Sequence, residues 1–406
     1  MIEVIRVGSL IIISLQNYGR FERREKSVLQ KSCTLFLKNS MRRLKVFQII
    51  NSTDRVSSVD IFRGLAIISV VVFHFNNQLP FGFLGVDLFF LVSGLLVGGL
   101  LTKEFEKQKK INFLKFFLQR GFKIWPSYYA FILFGSLIAF CFYHVSNPDQ
   151  IIPIWDLKRY LFFYQNYTGL PYHWSFDHVW SLCIEEHFYV LLPLLFLIIQ
   201  YFIKDKYKIK TLFVFVILTI IAGIGFKYFS YYFTSGKDTY AATHNRIDAL
   251  AWGVLLNLII MYYGEKIKSL KFVLFTFTLG LFIFIITLYI SIYHADYILF
   301  ERIYLHSIVP FSFFLMLLGL YYVDFATLKP LRFIAYYSYN WYLWHPIFVL
   351  FLTKHLGNTF NGLLTYLIIT FLIAIIATIF IEEPFLRKRK VVLDKIFKSE
   401  ELKVGS

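Results

Sequence analysis

Charge is what this sequence has least of. Only 17% of its 406 residues are Asp, Glu, Lys or Arg, where a soluble globular domain carries about a quarter. With residues of the AVILMFWYC set at 58%, the shortfall excludes a disordered chain and argues against the two or three soluble domains that length alone suggests. Cysteine is scarce as well. Cys33, Cys141 and Cys183 show no metal-ligand spacing, so neither a functional disulfide nor a metal site is expected. Glycine and proline number 21 and 10, far below a collagen-like share. No internal repeat suggests the inverted halves of many transporters. Acidic residues are the rarer sign, 25 against 42 basic ones, for a formal charge of +17. Aromatics are abundant, with 48 Phe and 28 Tyr.

Apolar runs of about 20 residues, long enough to cross a hydrocarbon core as helices, recur near 59–79, 82–102, 125–144, 179–201, 211–229, 247–263, 272–293, 303–323, 333–353 and 362–381. The fold class is therefore an all-α polytopic helical membrane bundle of about ten spans. If the N-terminus is cytoplasmic, 34 of the 42 basic residues fall on the inner side and six outside. The positive-inside rule gives that imbalance when both termini are cytoplasmic. The basic charge then reflects the lipid bilayer rather than nucleic acid. Residues 1–58 form a basic N-terminal segment, with 1–40 a candidate upstream extension before Met41. A transmembrane domain covers 59–385 and a basic tail 386–406.

Ionisable groups inside a bilayer are costly and mark candidate sites. Arg63 and His74 are 11 positions apart, which on a helix sets them about 20° apart in azimuth and ~16 Å apart along the axis. They share a stripe, although Arg63 could also snorkel and His74 could simply pack. Asp87 in the second span should face the interior and pair, for instance with Arg63. Arg120 and Lys123 share a helix face and would suit either cosubstrate phosphates or lipid headgroups. Pro126 fits the first turn of the span that follows. At the outer end of the fourth span, His178-Val-Trp180-Ser181 leads to Glu185, Glu186, His187 and Tyr189. Successive positions differ by about 100°, so one of the two carboxylates can face a cavity while the other braces a neighbour. Function outweighs packing as the reading of this cluster.

Taken together the segments resemble the integral-membrane acyltransferase family 3, O-acyltransferases of bacterial surface polysaccharides. The resemblance covers most of 55–390. It rests on the Arg63-to-His74 spacing, GVDLFFLVSG at 85–94, RGFKIWPSYY at 120–129 and HVWSLCIEEHFYVLLP at 178–193. It continues in RIDALAWG at 246–253, SYNWYLWHP at 338–346 and EEPF at 382–385. The resemblance implies importance for Arg63, His74, Arg120 and Glu185. Lys123 stands where family members commonly have a second arginine, and His187 where they typically have Gln. Some relatives append an extracytoplasmic SGNH-type domain. With 25 residues after the last span, this chain is expected to lack one and to rely on a separate esterase or transferase if it needs that partner.

The implied reaction moves an acyl group, acetyl by family precedent, from cytoplasmic acyl-CoA to a hydroxyl of an extracytoplasmic polysaccharide or lipid-linked sugar, at the bacterial cytoplasmic membrane. Arg63, Arg120 and Lys123 would bind the coenzyme's phosphates. His74 would act as base or transient acyl carrier, oriented by Glu185 or Asp87. Trp180, Ser181, Glu186 and Tyr189 would meet the acceptor. No bound cofactor is implied beyond the acyl-CoA cosubstrate. The competing class is a transporter or flippase of a polar substrate.

Overall fold

The structure, a computed structural model, describes residues 56–75, 77–143, 151–168, 174–234, 240–293 and 297–404. The expected N-terminal segment and its Met41 start lie outside the described residues, apart from 56–58. The described chain is helical, with no strand among the described residues. Its long elements are α1 (Ser57–His74), α2 (Gly85–Gln108), α3 (Phe113–Tyr143), α4 (Trp180–Phe202), α5 (Asp205–Phe233) and α6 (Ile247–Tyr263). They continue as α7 (Leu270–Tyr293), α8 (His306–Leu320), α9 (Lys329–Trp344), α10 (Val349–Leu356), α11 (Phe360–Ala377) and α12 (Glu383–Val404).

Among the described residues, nine helices are long and apolar enough to cross a membrane. The tenth expected segment, 333–353, breaks instead into α9 and α10 around His345 and Pro346. A proline has no N–H for the carbonyl four residues back and disfavours helix in the residue before it. α9 also carries Arg332, Ser338 and Asn340, all three buried. Pro126 departs from expectation in the other direction. It lies inside α3, which begins at Phe113, so a single helix runs from the Arg120–Lys123 region into the membrane.

The bundle is sorted by burial. In its most apolar stretch α2 is 72% buried, whereas α7 is 17% buried. Leu218 and Ile221 of α5, Phe275 and Phe282 of α7, and Ile368 and Leu372 of α11 are exposed, the faces a hydrocarbon solvent would cover. α2 packs most extensively on α6, α7 on α8, and α1 on α9. The α2–α6 contact is set by glycines. A Cβ on Gly94 would stand 1.9 Å from the Leu250 carbonyl oxygen, and one on Gly253 would stand 2.0 Å from that of Leu91. Small residues of this kind let helix backbones approach closely in lipid.

Candidate functional site

Helices α1, α2, α3, α4 and α9 line a half-open cavity of about 180 Å³. Arg63, Arg120, Lys123, Ser181, Glu185 and Tyr189 all line it. The sequence names these six, drawn from three helices. Ser93, Ser338, Tyr339 and Tyr342 supply further polar wall, and Val86, Phe89 and Leu96 an apolar one. The lining therefore combines three cationic side chains and one carboxylate with an apolar surface from α2.

Each polar group in it has a definite setting. Arg63 Nη2 donates to Ser338 Oγ at 3.0 Å, and its Nη1 lies 3.9 Å from Asp60. Glu185 accepts hydrogen bonds from Tyr189 Oη and from Ser93 Oγ, the latter at 3.2 Å. Arg120 stacks over the Tyr189 ring, 5.6 Å from its centroid. It makes no ion pair among the described residues. Lys123 differs, since its ammonium is paired with Glu382. That carboxylate also accepts from Asn340 Nδ2 at 2.8 Å. A point charge already neutralised in this way is a poorer anion receptor than Arg120, whose planar fork is still open.

Glu186 turns away from the cavity and accepts from Trp125 Nε1 at 3.2 Å, tying α4 to α3. It is buried and is not among the residues that line the cavity. Ser181 Oγ meets Tyr342 Oη at 2.7 Å, and Tyr342 donates to the His178 carbonyl at 2.6 Å. Ser181 and Tyr342 both line the cavity.

His74 does not line the cavity but sits in a group with His178 and His345, the last of which has its ring centroid 5.9 Å from that of the wall residue Tyr342. The His74 and His345 ring centroids are 4.9 Å apart, and those of His178 and His345 5.6 Å. His74 Nδ1 lies 2.8 Å from the Val70 carbonyl oxygen. A carbonyl only accepts, so Nδ1 carries the ring hydrogen and Nε2 of the neutral ring keeps its lone pair. The orienting contacts are this carbonyl and His345, where the sequence reading expected Glu185 or Asp87.

Asp87 belongs to a separate, fully buried charge cluster. Its two oxygens meet Arg246 Nη2 at 2.7 Å and His306 Nδ1 at 3.0 Å, not Arg63 or His74. Beside them Lys227 pairs with Asp248 and donates to the His306 carbonyl at 2.7 Å. Two acids and two bases leave no net charge, the condition under which such a set survives in lipid. Trp180 is part of the same region. It is 8% exposed, edge-on to Phe90 and Tyr240 and 5.7 Å from the Arg246 guanidinium. Its ring is used within the protein rather than open at an outer mouth for a sugar. In the loop before α6, burial pushes the Tyr240 phenol up and Arg246 pulls it part of the way back.

Sequence reasoning quoted His178, His345 and Glu382 within motifs without giving them partners. Ser338 and Tyr342 also sat inside SYNWYLWHP. What it lacked was the neighbour on another helix.

The acyltransferase domain model matches residues 56–382, and the chain belongs to that acyltransferase family. Among known proteins it is similar to O-acetyltransferase OatA of Staphylococcus aureus strains NCTC 8325 / PS 47, COL and MRSA252. Each is 29% identical over 355 residues, covering 81% of this chain and 57% of the relative. The chain thus spans less than three fifths of the length of these curated relatives. No solved structure matches it.

Proposed function

We propose that the protein is a membrane O-acyltransferase carrying an acyl group from cytoplasmic acyl-CoA to a hydroxyl of an extracytoplasmic glycan or glycolipid. Acetyl is the group its relatives' name gives. The observation that carries this reading is a cationic cavity beside a histidine with a free Nε2. The cavity holds Arg63 and Arg120, and the His74 hydrogen is committed to a backbone carbonyl.

Arg120, with Arg63, takes phosphate oxygens of the acyl donor through charge-assisted hydrogen bonds. The apolar wall receives the pantetheine arm, so the thioester points toward Tyr342 and the histidines. His74 Nε2 takes the proton of the acceptor hydroxyl as that oxygen attacks the thioester carbon. The C–O bond forms, the C–S bond breaks, and the same proton passes to the departing thiolate. Glu185 is a positioning group in this scheme, fixing Tyr189 under the Arg120 guanidinium. In this reading both termini lie in the cytoplasm and the protein in the bacterial cytoplasmic membrane, which the imbalance of basic residues between alternate loops supports. A separate extracytoplasmic enzyme is the partner where onward transfer is needed.

The test compares envelope glycans of wild-type and His74→Ala cells by mass spectrometry. Loss of an ester mass, 42 Da for about one acetyl group, is the expected result. An unchanged ester content in the variant overturns the assignment of His74.

A further inference from the structure

His345 has no part in the scheme above, yet it is completely buried against His74. It ends α9 immediately before Pro346. Pro346 has no N–H, so the Tyr342 carbonyl loses its ordinary helical donor. The imidazole replaces it: His345 Nδ1 lies 2.9 Å from the Tyr342 oxygen and 2.9 Å from that of Trp341. Both are acceptors, so Nδ1 carries the hydrogen and Nε2 of the neutral ring carries the lone pair. That Nε2 is 3.3 Å from His74 Nδ1. The Val70 carbonyl makes His74 Nδ1 a donor. Backbone carbonyls at both ends therefore fix the direction of the contact. His74 donates and His345 accepts.

We propose that His345 is the positioning residue of the acyl-transfer step. Its Nε2 holds His74 in the tautomer that leaves Nε2 of His74 free, and it takes up part of the positive charge when His74 is protonated. The proposal rests on the reading of His74 as the base. Hydrolytic triads give this task to a carboxylate. A carboxylate beside His74 would need a further cation inside the bilayer, and a neutral imidazole acceptor avoids that requirement. The contact is shared with Val70 and weak while His74 is neutral. It becomes charge-assisted once His74 carries the hydroxyl proton. The hydrogen on His74 Nδ1 stays there throughout, while the transferred proton enters and leaves through Nε2.

The experiment measures thiol release from acetyl-CoA by membrane vesicles holding the full chain together with the cell's own envelope glycans. His345→Asn keeps an N–H for the two carbonyls and lacks the acceptor. His345→Gln restores an amide oxygen near the Nε2 position. For H345N, kcat should fall about 10- to 100-fold, the range for loss of an orienting partner. The KM for acetyl-CoA should stay within about twofold. H345Q should recover most of the rate. H74A/H345N should be no slower than H74A, because the second change acts only through the first residue.

Wild-type rates in H345N, equal losses in H345N and H345Q, or multiplying losses in the double variant would each overturn the proposal. Should H345N fail to accumulate in the membrane, H345Q decides alone. Near-normal kcat supports the acceptor role, and a large kcat loss at unchanged thermal stability refutes it. If H74A itself is fully active, the base assignment falls and this proposal falls with it. If H74A is inactive while H345N is normal, only the proposal about His345 falls.

Discussion

Lys123 of α3 is ion-paired with Glu382, a residue 259 positions later at the end of the α11–α12 junction. Arg120, less than a turn away on the same helix, pairs with no carboxylate among the described residues and lies over Tyr189 instead. Two cations that share a helix face and look equivalent in sequence are thus in different electrical situations. One is balanced by a carboxylate, and the other has no such partner among the described residues.

Arg120→Met should therefore raise the KM for the acyl donor. A hydrogen bond to a charged group contributes about 1.5–3 kcal/mol, which converts to about 10- to 100-fold in affinity. Arg120→Lys should recover only part of it, since an ammonium cannot replace the planar fork. The donor-concentration dependence of thiol release from acetyl-CoA measures both. An unchanged KM in the Met variant would remove Arg120 from the donor site.

Lys123→Met should act on stability first. It strands Glu382, 3% exposed and held also by Asn340, at a cost of about 1–3 kcal/mol for an unsatisfied buried group. Pairing it with Glu382→Gln should return most of the loss, because coupled residues are non-additive. Thermal unfolding of the detergent-solubilised protein follows the cycle. Additive losses would show that the pair does not act as a unit.

Asp87 leads to a parallel expectation. Asp87→Asn leaves Arg246, 2% exposed, short of one of its countercharges, and breaking a buried pair costs about 3–5 kcal/mol. The folded yield and thermal midpoint should drop, and Asp87→Leu with Arg246→Met should be better tolerated than either change alone. A D87N protein of normal stability that had lost turnover would instead place Asp87 in the chemistry.

The spans were legible because a bilayer admits few solutions. About 20 apolar residues in succession must be helical, whatever their partners. The two departures both involve proline, whose effect depends on surroundings. Pro126 is absorbed inside α3 and Pro346 breaks the tenth segment. The site was legible residue by residue but not pair by pair. Spacing along one helix fixes azimuth, so it could separate Glu185 from Glu186 and align Arg63 with His74. It carries no information about contacts such as Asp87 with Arg246, 159 positions apart, or His74 with His345, 271 apart. Trp180 shows the same limit, since an aromatic near a helix end suits an interfacial belt and a buried stack equally well.

The packing of α2 on α6 makes a last prediction that needs no knowledge of the substrate. Gly94→Ala places a methyl 1.9 Å from the Leu250 carbonyl oxygen, and Gly253→Ala places one 2.0 Å from that of Leu91. Backbone cannot rotate aside as a side chain can, so the helices must separate, with a cost of about 1–3 kcal/mol as for other overpacked cores. Gly225 on α5 is the control: a Cβ there meets nothing within 4 Å. Gly225→Ala should be neutral or gain up to about 1 kcal/mol from helix propensity. Thermal midpoints of the three variants decide the matter. If G94A and G253A melt like G225A, the close approach of α2 and α6 is wrong, and the wall that α2 contributes to the cavity must be redrawn.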